Sequence, residues 1–182
     1  MTPGRALGIA ESYDDERSTV AGAVVRSDRA LDGLAFSSLA VGGTDATERL
    51  VELYRSLDRE DVRTVLVAGI APAWFNVVDL RALEAAVDRP IVSVSFEASP
   101  GLEPALREQF SGAALDKRLS TYERQPPRFA LDVDGETVFV RAVGCDDETA
   151  AAAVHEHTSE GGRPEPLRVA RIAARAGDAY RT

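Results

Sequence analysis

Lysine is almost missing from this chain of 182 residues: Lys117 is the only one, and arginine supplies the rest of the 21 basic side chains. Cysteine occurs once, at Cys145, which excludes an internal disulfide and fits a reducing cytoplasm. Tryptophan also occurs once, at Trp74, and the two histidines are His155 and His157. No apolar run approaches the roughly 20 residues of a membrane span. The N-terminal stretch MTPGRALGIAESYDDE has no apolar signal core, so no membrane partner and no export are expected. Gly8, Gly42-Gly43 and Gly161-Gly162 are scattered and match neither GxGxxG nor GxxxxGK[ST], which gives them turn roles rather than a phosphate loop.

Acidic residues number 30, for a net charge of −9. An acid-rich, lysine-poor, alanine-rich surface points to a salt-loving archaeon or a high-GC bacterium. The charge leans against a nucleic-acid partner. In a highly saline cell, screening shortens electrostatic reach to a few Å and weakens that objection. The length suits one domain spanning 1–182, with enough chain for a proper core.

Residues 5–10, 19–26 and 34–41 are apolar runs of strand length in close succession, which predicts an antiparallel meander. TDATERLVELYRSLDR follows with Asp45 and Glu48 at capping-box spacing and Leu50, Leu53, Tyr54 and Leu57 on one helical face. Residues 64–68 read as a buried strand, with a helix from about 77 and Asn76 as its N-cap. IVSVSF is a further strand, and 97–127 predicts one or two helices over the sheet. Asp134-Gly135 between alternating runs predicts a hairpin. Asp146 caps a helix to about 157, and LRVARIAARA forms the last one. The order β-β-β-α-β-α-β, then hairpin and terminal helices, predicts an α/β ribonuclease-H-like mixed sheet. A doubly wound Rossmann-like sheet is the weaker alternative, because no crossover helix fits between the first strands.

Candidate chemistry is thin. His155 and His157 lie two residues apart, cannot chelate as an i, i+4 pair and are expected to be exposed. Cys145 is expected to be a small packing residue. Glu11, Asp14, Asp15 and Glu16 form an acidic turn, and Asp45 and Asp79 are expected to cap helices. Arg168, Arg171 and Arg175 form a basic stripe that either faces phosphate or pairs with the protein's own carboxylates. Trp74 and Phe75 are expected to fill the core, with an apolar partner anchor as the alternative.

The stretches RALGIAESY, GTDATE, VLVAGIAPAWFNVVD, RPIVSV and GGRPEPLRVARIAARA occur in this order over nearly the whole chain. Together they resemble the archaeal domain of unknown function 99 family, related to endonuclease V. That resemblance implies a ribonuclease-H-like fold and Mg²⁺-dependent phosphodiester hydrolysis in DNA bearing deoxyuridine or inosine. It also implies carboxylates at strand ends, because a cation must neutralise the scissile phosphate and activate water. The sequence departs from the pattern there. Ala10 and Ala68 stand where the resemblance implies aspartates, Phe96 where it implies a basic residue, and Arg171 where it implies histidine. Glu11, Asp45 and Asp79 are the possible substitute carboxylates.

The leading expectation is therefore an endonuclease-V-like protein that has lost metal-dependent cleavage and binds DNA or a nucleotide, with no cofactor. Gly69, Asn76, Arg168, Arg171 and Arg175 are its candidate binding residues. The alternatives are an active Mg²⁺-dependent repair nuclease with relocated carboxylates, and a structural or interaction protein without nucleic-acid contact.

Overall fold

A computed structural model describes residues 3–181. Seven strands form one sheet in the order β3-β2-β1-β4-β5-β7-β6. β1 (Arg5–Tyr13), β2 (Ser18–Arg26) and β3 (Leu31–Leu39) make the antiparallel meander. β4 (Val62–Ala68) then joins β1 in parallel, and β5 (Ile91–Ser95) joins β4 in parallel. β6 (Phe129–Val133) and β7 (Glu136–Val143) form the expected hairpin, which extends the sheet antiparallel to β5. Its two-residue turn places Asp134 at φ 54 and Gly135 at φ 84, as a type I′ connection requires.

Strand alternation sorts the side chains between two layers. Leu7, Ile9, Val65, Val67 and Ile91 face a core shared with α1 (Ala46–Leu57) and α3 (Leu80–Val87). Ala6, Leu66, Val92 and Val94 face the other side, where α6 (Asp147–Glu156) and α7 (Glu165–Tyr180) cover them. α7 lies across β1 and β2. The backbones meet so closely that a Cβ on Gly8 would lie 2.2 Å from the Pro166 carbonyl. Segment 97–127 contains α4 (Glu103–Gln109) and α5 (Gly112–Glu123), in keeping with the expected covering helices.

Several local expectations are corrected. β1 continues to Tyr13 instead of turning after Ala10, because Glu11, Ser12 and Tyr13 pair with Val20, Thr19 and Ser18. β3 begins at Leu31 and ends at Leu39, with Val41 and Gly42 already in a turn. The N-cap of α3 is Asp79, whose carboxylate accepts the Ala82 N–H at 3.0 Å, and not Asn76. Asp45 precedes α1 without forming a side-chain cap, since its carboxylate turns back to the Ala40 N–H at 3.2 Å. His157 is buried, with burial pushing its pKa down, whereas His155 is exposed as expected. Asp146 does cap α6, accepting the Thr149 N–H at 2.8 Å.

Candidate functional site

Parallel strands β4 and β5 end side by side while β1 runs on to Tyr13, and a cavity of about 340 Å³ lies at this edge of the sheet. Crevices at such strand ends are the usual ligand position in α/β sheets. Glu11, Ala68, Gly69, Tyr122, Arg128 and Arg141 are among the residues that line it. Ser99, Gly101 and Leu102 also line it, so segment 97–127 supplies one side of the cavity.

Ala10 and Ala68 follow the last pairs of the β1–β4 ladder, Gly8↔Leu66 and Ile9↔Val67, Ala68 ending β4 and Ala10 lying within β1. Both pack toward α7 against Ala170 and Val169. Ala10 is thus buried and lies outside the strand-end cavity, whereas Ala68 lines it. The substitute carboxylates do not converge. Glu11 accepts the Ser18 hydroxyl at 2.7 Å and the Ala73 N–H at 2.8 Å. Asp45 accepts the Asn76 side-chain amide at 2.7 Å. Asp79 caps α3 and pairs with Arg124 at 2.9 Å. Among the described residues, no group of three His, Cys, Asp or Glu side chains could hold a metal ion. A Mg²⁺ ion prefers hard oxygen ligands and keeps several waters, so it needs converging carboxylates free of other partners. The residues at these strand ends do not fit one.

The two interior carboxyls differ in character. Burial pushes the Glu11 carboxyl up, and the hydrogen bonds from Ser18 and Ala73 and the charge of Arg171 only partly offset it. Burial also acts upward on Asp79, but there the Arg124 and Ala82 hydrogen bonds win and hold it below the ordinary carboxylate range.

Asn76, expected to bind a ligand, is fully buried and outside the cavity lining, and its side chain is engaged by the protein itself. Its amide donates to the Ala40 carbonyl and to Asp45, and its oxygen accepts the Ala46 N–H at 2.9 Å. It clamps the β4–α3 connection to the start of α1. Arg118, which sequence reading passed over, does the same from α5. It is buried and donates to the carbonyls of Gly42 at 2.6 Å, Gly43 at 3.1 Å and Phe75 at 3.1 Å while stacking on Phe110. No sequence motif marks this role, because its partners are backbone oxygens.

The clamped connection holds one unusual turn, α2 (Pro72–Phe75), in which Ala73, Trp74 and Phe75 have φ of 50, 56 and 63. Left-handed backbone costs a non-glycine residue roughly 1–2 kcal/mol. Trp74 does not fill the core as expected: it is 41% exposed.

The basic stripe of α7 is also rearranged. Arg168 is neutralised by Glu165 at 2.5 Å. Arg171 and Arg175 have no ion pair among the described residues. Arg163 joins them instead, with its guanidinium 4.1 Å from the Phe96 ring centroid. Burial, followed by the like charges of Arg171 and Arg175, pushes the Arg163 pKa down. Phe96 thus seats a cation in place of the basic residue that the resemblance implied. Arg128 and Arg141 likewise lack a carboxylate partner among the described residues and stack on Phe139 and Tyr122. Gly69, at φ 73, donates its N–H to the Val94 carbonyl and accepts the Ser93 hydroxyl.

A mixed sheet of a three-strand meander plus parallel strands, with helices on both faces, is the ribonuclease-H-like fold. Endonuclease V of Ciona intestinalis, solved with inosine-containing DNA, shares it at a TM-score of 0.64 and 14% identity, over 99% of this chain and 88% of that one. Residues 3–177 match the family model for endonuclease dU, and the chain belongs to that family. A UPF0215 protein of Pyrobaculum aerophilum is 34% identical over 93% of this chain and 92% of its own length. A protein of unknown function from Archaeoglobus fulgidus superposes with a TM-score of 0.84 at 25% identity, over 95% of this chain and 97% of that one. No helix among the described residues is long and apolar enough to cross a membrane.

Proposed function

We propose that this chain is an endonuclease-V-like protein that binds nucleic acid at the strand-end cavity and does not cleave it by a metal-dependent route. The reading rests on the methyl groups of Ala10 and Ala68 where the β1–β4 ladder ends. Metal-assisted hydrolysis needs a cation held against the scissile phosphate, and neither side chain offers an oxygen. The active-enzyme alternative requires Glu11, Asp45 and Asp79 to act together, yet each is bonded to a different neighbour.

Binding is supported by the placement of charge. On a protein of net charge −9, Arg128, Arg141, Arg163, Arg171 and Arg175 remain without a carboxylate partner among the described residues. Arg128 and Arg141 line the cavity, and Arg171 is close enough to Glu11 to influence its carboxyl. Unneutralised guanidiniums are suited to phosphate oxygens. The DNA-bound endonuclease V of similar fold makes DNA containing a deaminated base the first ligand to try.

A nicking assay on deoxyuridine- and inosine-containing DNA, with Mg²⁺ or Mn²⁺ at low and multimolar salt, tests the first half of the proposal. No product is expected. Metal-dependent product that disappears in Glu11→Ala or Asp79→Ala protein would establish the relocated-ligand enzyme instead. Anisotropy of labelled DNA during salt titration tests the second half, and binding that weakens as salt rises is expected.

A further inference from the structure

Trp74 is the only tryptophan, and the fold holds it outward. Both neighbours of Trp74 in its left-handed turn are anchored. The Ala73 N–H goes to Glu11, the Ala73 carbonyl accepts the Gly42 N–H at 2.7 Å, and the Phe75 carbonyl accepts Arg118. The ring itself is propped edgewise by Phe75 at 5.5 Å and by Phe110 at 5.4 Å. It also lies against Gly42, where a Cβ would come within 3.2 Å of the indole. Strain that the surroundings over-determine is characteristic of sites that contact ligands. Here it fixes an indole in place while leaving it half open to solvent.

Glu11 connects this indole to the arginines. Its carboxylate holds the residue preceding Trp74 on one side and feels the charge of Arg171 on the other. Arg163 and Arg175 lie within electrostatic reach of Arg171's cluster, and Arg128 and Arg141 line the cavity that Glu11 also lines. Ala71 and Pro72, which lead into Trp74, line that cavity together with Arg128 and Arg141, and an aromatic platform beside guanidiniums is the arrangement that binds unpaired strands, with bases stacked on rings and phosphates along the cations. A duplex offers no such contact, because its interior bases are already stacked on both faces.

We infer that the site takes a single, unpaired nucleic-acid strand, with Trp74 stacking on one base and Arg128 and Arg141 facing its phosphates. This rests on the nucleic-acid-binding reading above and adds the strandedness of the ligand and the residue that reads it.

The lone tryptophan provides its own probe. Trp74 emission is followed while the protein is titrated at low salt with a 12-nucleotide thymidine strand and with a hairpin duplex. Anisotropy of the labelled strand and hairpin is recorded in parallel. Emission is expected to be quenched by the strand, and the strand to bind more tightly than the duplex. Trp74→Gly is expected to weaken strand binding about tenfold and to leave duplex binding unchanged. The same variant relieves a left-handed backbone position but loses the ring's packing on Phe75 and Phe110, so its unfolding midpoint is recorded in parallel, and a variant still folded at the assay temperature separates lost contact from lost fold. Trp74→Phe, which keeps a ring, should retain most of the strand affinity.

Strand binding seen by anisotropy, with unchanged emission and unchanged affinity in Trp74→Gly, would overturn the inference and leave the binding proposal standing. So would a Trp74→Gly variant that changes only the sedimentation of the protein, since the indole would then serve a protein contact. Absence of binding to either nucleic acid would overturn the proposal itself, and this inference with it.

Discussion

Glu11 shows how one residue can be buried with partners and still be uncomfortable when charged. Its partners are a hydroxyl and a backbone N–H, and the nearby Arg171 charge does not offset the loss of water. The folded chain therefore holds the Glu11 proton more tightly than the unfolded chain, where the ordinary value is 4.5. Between that value and the raised folded one, the folded state binds more protons, so stability falls as pH rises through the window. Glu11→Gln removes the ionisation while keeping an oxygen to accept the Ala73 N–H. In paired thermal melts, the variant is expected to match wild type below about pH 4.5 and to be the more stable protein at pH 7. A wild-type advantage at pH 7 would mean that the charged form makes a favourable contact, which would reopen Glu11 as a ligand for a cation.

At the scale of elements, the site depends on how α7 and the β4–α3 connection are seated. α7 reaches β1 only because Gly8 has no side chain. Its added Cβ would collide with the Pro166 backbone at 2.2 Å, and backbone cannot move aside as a flexible side chain can. Gly8→Ala is expected to destabilise the fold by about 3 kcal/mol, measured by urea unfolding. Gly69→Ala makes the control: nothing lies within 4 Å of its added Cβ, so only the positive φ is penalised, at about 1 kcal/mol. Equal costs at the two positions would mean that α7 can shift away from β1. The same close seating packs Ala170 and Val169 against Ala10 and Ala68. Small residues at these strand ends thus serve helix packing, the physical reason for methyl groups there in this chain.

Across the whole molecule, charge is distributed unevenly. Acidic residues dominate, with net charge −9, while Arg128 and Arg141, which have no carboxylate partner among the described residues, line the strand-end cavity. Several other arginines are paired at the surface. Arg5 and Arg59 meet Asp32 and Asp61 at 2.5–3.1 Å, in contacts open enough to water to contribute little. Salt should therefore relieve more repulsion than it removes attraction. The unfolding midpoint is expected to rise between about 0.1 and 2 M KCl, where screening shortens from roughly 10 Å to a few Å. A falling midpoint would show that the arginine–aspartate contacts matter more than the excess negative charge.

Periodicity and turn chemistry alone were enough to specify the meander, the two parallel strands, the Asp134-Gly135 hairpin and the terminal helices. These depend on alternation and on residues suited to tight turns, both of which are local properties. The absence of oxygen-bearing side chains at positions 10 and 68 was also plain from the sequence, once the surrounding motifs had been matched. What the sequence left undecided concerns partners distant along the chain. Asn76 proved to be a clamp because Asp45 and Ala40 lie beside it in space. Arg118 proved to be buried because its partners are backbone carbonyls, which carry no residue signature. Trp74 faces outward because those clamps impose a left-handed turn that its own composition would never predict. Arg163, not Arg168, completes the basic cluster, because Glu165 neutralises one and Phe96 seats the other. Local pattern determined the elements, and tertiary packing decided which side chains were left free to meet a ligand.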